Sequence, residues 1–273
     1  MQVKLTEGEQ AQLRYTTTTN VPAWTLWVQG LSHYRQSISK EKVGATKTCW
    51  EKALALDPTS AALDAMLGWL HCLDARFGWW EDRATAVGKA EVHIKSALQK
   101  DPDNADAYIA SAGLLSLDGR FDDAVASARR AARLAPSSAD VANLVSFHLV
   151  AAGHPEEAIA HSKRAIALNP NYPPNYLGNL GLAHRLAGRV EEAVAAFNAY
   201  DARIPGSGFG LTDLVILYQQ NGRSEEARQT VQRLLAARPD FTIASWRKTQ
   251  IARDAGRFDD EVAALGAAGL PFG

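Results

Sequence analysis

The chain has 273 residues, 47% hydrophobic and 22% charged, with 29 basic against 30 acidic side chains. That balance leaves no basic surplus to hold nucleic acid or an anionic lipid surface, and two cysteines, Cys49 and Cys72, exclude a disulfide framework and any multi-cysteine zinc or iron–sulfur centre. The run after Met1 is polar and no stretch of about 18 apolar residues occurs, so neither a signal peptide nor a membrane span is expected, and a cytoplasmic location is.

In chain order, Thr6 to Glu9 reads as a capping box before a short helix ending near Arg14, and Thr16–Thr19 as a polar linker, so residues 1–19 form a short N-terminal helix and linker. Asn20 can cap the next helix, with Pro22 tolerated in its opening turn. From residue 20 to 265 the sequence repeats. Prolines fall at Pro58, Pro102, Pro136, Pro170, Pro205 and Pro239, at intervals of 44, 34, 34, 35 and 34. A glycine follows at a nearly constant offset (Gly119, Gly153, Gly188, Gly222, Gly256), and behind each stands an acidic pair, as in Asp122–Asp123 or Glu156–Glu157. Proline stops one helix, and glycine accepts the positive φ that ends the next. The acidic pair suits the positive end of the helix that follows. Ala90, Ala124, Ala158, Ala193 and Ala227 recur twelve residues before each next proline, and Ala53, Ala97, Ala131 and Ala165 five before; small residues there let paired helices approach. The reading is an all-α solenoid of about seven helix–turn–helix units, closed by a tail over 266–273 whose Leu270–Phe272 is apolar enough to dock on a neighbouring chain or on its own last helix.

This pattern resembles the tetratricopeptide repeat over roughly residues 20–265, most specifically from Pro102 to Pro239. The resemblance implies a right-handed superhelix with a concave face. Departures sit at the ends. The first unit has Thr46 in the alanine position and a longer turn through Ser37–Val43. The second carries about ten extra residues around Arg76–Thr85. The last has Glu261 in the alanine position, which predicts a second helix packed outward as a cap. A narrower resemblance joins Leu5–Gln10, Asn20–Gly30, Asp74–Trp79 with Glu81 and Asp82, Asn169–Pro174 and Ala268–Pro271. Together these are similar to the C-terminal repeat region of bacterial multi-domain adenylate/guanylate cyclase-like proteins. In that family catalysis belongs to a different domain, so the resemblance implies a non-catalytic, regulatory or localising region.

No catalytic, cofactor-binding or metal-ligating group is expected. The acidic pairs recur in every unit, whereas catalysis needs one site. Gly206–Gly210 lacks the strand and lysine of a phosphate loop and reads as a flexible turn between units. His148, His154 and His161 are the closest histidines but show no His-x-x-x-His pair. Cys72 suits a small apolar filler, and Trp50 a core position. Trp79 and Trp80, beside Phe77, either anchor a partner or fold over the first units, the second being favoured because an exposed aromatic patch invites aggregation.

Function therefore rests on the concave face, which the resemblance to the repeat family implies is reached at offsets of about seven, eleven and fourteen after each proline. The candidate peptide-binding residues are Trp69, Asn143, Phe147, Arg185, Ile216, Trp246 and Arg253. The lining is mainly apolar, without the lysine and asparagine arrangement that clamps the acidic tails of chaperones, so an apolar helix or extended segment is the expected protein partner. The leading reading is a non-catalytic protein–protein interaction scaffold. The alternatives are a substrate-recruiting arm of another enzyme and a self-assembly module forming a homo-oligomer.

Overall fold

The glycine phrases set where each helix pair turns. The computed structural model describes residues 20–254 and 256–273, and every element among them is a helix. The expected short N-terminal helix and the Thr16–Thr19 linker lie outside the described residues. The helices are α1 (Val21–Gln36), α2 (Lys40–Leu56), α3 (Ala61–Phe77), α4 (Arg83–Lys100), α5 (Ala105–Leu117), α6 (Phe121–Leu134) and α7 (Ala139–Ala151). They continue as α8 (Pro155–Leu168), α9 (Asn175–Leu186), α10 (Val190–Arg203), α11 (Gly208–Gln220), α12 (Ser224–Ala237), α13 (Ile243–Arg247) and α14 (Arg257–Ala267). Odd and even helices pair into seven units of a right-handed solenoid. Consecutive odd helices from α3 to α11 pack on one another and line the inner face, while the even helices lie outside.

Gly119, Gly153, Gly188 and Gly222 all take φ between 72° and 83°. The residue after each glycine closes the turn by donating its N–H to the carbonyl five residues back, as Arg120 does to Leu115 at 2.8 Å and His154 to Leu149 at 2.8 Å. This is the Schellman closure, which only a residue tolerant of positive φ completes without strain. The second helices of these units have no side-chain cap, and the acidic pairs stand in their first turns as expected. These pairs also join units: Arg129 reaches Glu157, and Arg189 reaches Glu156, both at 2.6 Å.

Within each pair the recurring alanines, Ala158 among them, are wholly buried. The first unit solves the same problem differently. Thr46 is buried in the alanine position and donates its hydroxyl to Gly30 O at 3.1 Å and Lys42 O at 2.8 Å. Gly30 has to be glycine, because a Cβ there would lie 2.4 Å from Nε1 of Trp50. Trp50 is core, as expected; it stacks on Trp27 at 5.0 Å and donates to the Trp27 carbonyl. The expected long turn through Val43 is only the three residues 37–39, since the Ser39 side chain caps α2 from Lys40 onward.

The ten extra residues of the second unit are spread over its whole hairpin. Helices α3 and α4 have 17 and 18 residues where α5 and α6 have 13 and 14, and their turn, 78–82, has two more residues than 118–120. The insertion folds back over the first two units: Trp79 stacks on Phe77 of α3 at 4.7 Å, and Trp80 covers Gly44 of α2 under the Lys47 ammonium. The glycines of Gly206–Gly210 differ from the flexible turn expected. Gly208 and Gly210 open α11 and let Phe241 and Tyr200 press onto its backbone, where a Cβ would lie 2.8 and 2.7 Å from the rings.

The last unit departs most from the repeat. Its first helix stops after Arg247 and the chain continues without regular structure through 254. The tail docks on its own chain: the carbonyls of Pro271 and Phe272 accept from Ile243 N and Ala244 N at 2.8 and 2.9 Å, serving the free amides that begin α13. Ala158→Leu forces a branched side chain into the closest helix approach and is expected to cost about 1–3 kcal/mol; chemical denaturation of the variant measures it, and an unchanged midpoint would contradict the assigned register.

Candidate functional site

The inner surface is built by odd helices stacking side by side, and that stacking consumes most side chains expected to face a ligand. Trp69 is 5% exposed; it donates Nε1–H to the Tyr34 hydroxyl at 2.7 Å and meets the His148 ring edge-on at 6.0 Å. Gly113 on the next odd helix leaves it room, since a Cβ there would lie 3.0 Å from the indole. Asn143 is 1% exposed and accepts from the Asn179 amide through both its side-chain and main-chain oxygens, at 3.0 and 3.3 Å. Ile216 is completely buried, and Trp246 packs edge-to-face on Phe258 at 6.1 Å. In this conformation these four are buried in internal contacts rather than open on the surface.

Arg185 is also engaged internally. From the end of α9 its guanidinium lies 3.0 Å from Asp213 on α11 and 2.6 Å from Glu261 on α14, with all three side chains buried. Glu261 is not the mark of an outward-packed cap; it faces inward and ties the fifth unit to the seventh, with Arg257 3.6 Å away. Burial pushes the Asp213 carboxyl up to about 6, Glu261 adding to the rise and Arg185 opposing it. The attraction of Asp213 and Glu261 raises Arg185 further, against its burial.

Phe147 and Arg253 share a different region. Residues 248–254, which continue the broken first helix of unit seven, cross to units two, three and four. Arg76, at the end of α3, donates Nε–H to the Thr249 carbonyl at 2.7 Å. Arg253 donates its backbone N–H to the Ala151 carbonyl at the end of α7 at 2.8 Å, and its guanidinium pairs with Asp122 at the start of α6. The Arg76 guanidinium lies over the rings of Phe77 and half-buried Phe147, 5.0 and 5.2 Å from their centres. Burial lowers Arg76 to about 10, which leaves it charged near neutrality. Behind Phe147, His148 is held down to about 3, by burial first and by the Arg76 charge second, with its Nδ1 3.2 Å from the Ser116 hydroxyl.

Sequence reasoning missed Arg76 and Asp122 because neither stands at a ligand-facing offset of the repeat. It also searched for metal ligands as paired histidines. The structure does not gather His148, His154 and His161; it brings His71 of α3 against His93 of α4, ring centres 5.6 Å apart, with Asp74 and Glu81 beside His71. Burial holds His71 at about 4, so its imidazole is neutral. Cys72 is the expected filler, buried with its thiol 3.5 Å from the Ala110 carbonyl.

Family models described as tetratricopeptide repeat match residues 84–146, 148–208 and 212–272. No curated protein matches the chain. Among solved structures it is similar to PilW, described as a widely conserved type IV pilus biogenesis factor, at 19% identity and a TM-score of 0.57, over 75% of this chain and 88% of that one. It is similar to a tetratricopeptide repeat protein from Parabacteroides merdae at 13% identity and a TM-score of 0.53, over 90% and 89%. A dimer of human IFIT1 with m7Gppp-AAAA gives 18% identity and a TM-score of 0.63, over 78% of this chain and 49% of that one. At these identities the likeness is one of fold. None of the described helices is long and apolar enough to cross a membrane.

Two outcomes follow from the buried charges. Arg185→Met leaves two buried carboxylates with only Arg257, 3.6 Å from Glu261, to oppose them and is expected to cost about 3–5 kcal/mol in urea denaturation. His148 takes no proton in the folded chain until about pH 3, whereas unfolded it titrates near 6.5. Its contribution is therefore complete above pH 6.5 and is lost as pH falls toward 3, by about 2 kcal/mol at pH 5. Comparing denaturation midpoints at pH 7 and 5 for the wild type and His148→Gln isolates it, and the variant should lose less stability on acidification.

Proposed function

The chain belongs to the tetratricopeptide repeat family, whose members mediate protein–protein interactions, and from that premise we propose that it is a non-catalytic scaffold that holds an extended protein segment where its own residues 248–254 now lie. The observation that carries this reading is how that stretch is held. Arg76 and the Ala151 carbonyl bond to its main chain, and bonds of that kind are open to any extended segment whatever its side chains. Phe147, half-buried under Arg76, offers the apolar contact beside the path, and exposed Asp122 favours an occupant with a basic side chain. Of the seven residues expected from the sequence, Phe147 and Arg253 lie on this path; Trp69, Asn143, Arg185, Ile216 and Trp246 support the stack behind it. No carboxylate clamp is part of the proposal. A cytoplasmic setting and a regulatory or localising role beside a cyclase-like signalling enzyme rest on composition and on the sequence resemblance alone.

The reading is tested by replacing residues 248–254 with a glycine–serine stretch of equal length and titrating a labelled peptide of residues 247–256. The replaced chain should bind it, the wild type at least about tenfold more weakly because the path is occupied, and Phe147→Asp or Arg76→Ala in the replaced chain should abolish binding. A folded replacement with no affinity for the peptide would sink the proposal.

A further inference from the structure

The second unit holds a cluster that neither the repeat pattern nor the concave path uses. His71 and Asp74 are three residues apart on α3, so their side chains share one face of the helix, and the lengthened turn brings Glu81 to them. One ligating atom from each lies within 4.8 Å of the other two. His71 is 3% exposed and Asp74 is fully buried. Each of the three residues carries one buried polar atom with no hydrogen-bond partner: Nδ1 of His71, Oδ2 of Asp74 and Oε2 of Glu81. The other carboxylate oxygens are engaged. Asp74 Oδ1 accepts from the backbone N–H groups of Trp79 and Trp80, both at 2.9 Å, and Glu81 Oε1 pairs with Lys89. Each carboxylate is therefore anchored through one oxygen, and its other oxygen has no partner. Three orphaned polar atoms in one buried place are costly unless something satisfies them together.

We propose that His71, Asp74 and Glu81 form a binding site for a single divalent transition-metal ion of the zinc class. One imidazole nitrogen and two carboxylate oxygens are ligands this ion accepts, whereas calcium and magnesium favour all-oxygen sets. Three protein ligands leave a fourth position for water or for a group brought by a partner. Bonds of about 2.0–2.2 Å put ligands of a tetrahedral ion about 3.3–3.6 Å apart, so the cluster closes by about an ångström on loading. Glu81 supplies that movement, since it comes from a turn while His71 and Asp74 are fixed on a helix. The ion would fasten the Trp79–Trp80 insertion to α3 one turn from Arg76, and so connect the insertion to the concave path.

The test is calorimetric titration of the chelator-treated full chain with Zn2+ alone, with stoichiometry read by native mass spectrometry. One Zn2+ per chain and a rise in Tm are expected. Glu81→Gln, at a turn position where helicity should be unchanged by circular dichroism, should weaken binding at least about tenfold and remove the rise in Tm. Co2+ in place of Zn2+ should give the visible bands of a four-coordinate site in the wild type and not in the variant. Absence of saturable Zn2+ binding to the wild type overturns the proposal and leaves a buried water to satisfy the cluster. Equal affinity in Glu81→Gln and the wild type also overturns it, since the ion then sits on histidines elsewhere.

Discussion

Each helix pair is held at a separation that a methyl side chain permits and a larger one does not, and the rest of the molecule follows from that distance. Ala90, Ala124, Ala158, Ala193 and Ala227 are wholly buried at the approach. Wherever another residue takes the place, something opposite gives way. Thr46 is admitted because its hydroxyl donates to the backbone at Gly30, which has no side chain of its own. Glu261 is admitted because Arg185 arrives from two units away to neutralise it. A small rotation repeated from pair to pair produces the curved inner wall.

That logic explains what was legible in the sequence. Helix starts and stops, the turn glycines and the buried alanines are local demands of one repeating unit, and the 34-residue spacing displays them openly. The concave face was legible only as a set of offsets. Offsets say which side of a helix faces inward; they do not say whether a neighbouring side chain already covers it, and Trp69, Asn143, Ile216 and Trp246 are all buried. The partnership of Arg185 with Glu261 spans 76 residues, beyond the reach of any periodicity argument.

The insertion in the second unit shows a different limit. Ten extra residues look like a loop on paper. The chain spends most of them lengthening both helices by about a turn, and only two enlarge the connection. Longer helices carry Arg76 beyond the ordinary end of a unit, to where it can meet the seventh, and the slightly larger turn lets Asp74 and Glu81 come to the same place. Features of no recognisable motif thus arise from a change in length.

The crossing of residues 248–254 to units two, three and four has a kinetic consequence. An open array of repeats can form and melt from either end, each unit waiting only on its neighbour, and its contacts are close along the chain. Here the bonds from Arg76 to Thr249 and from Arg253 to Asp122 join residues 173 and 131 positions apart. They close the array into a loop, so the last unit cannot peel away without breaking contacts with the first half. Such long-range closures raise contact order and form late in folding. Newly made chain would thus pass through a stage in which its stack is complete and its inner path still open.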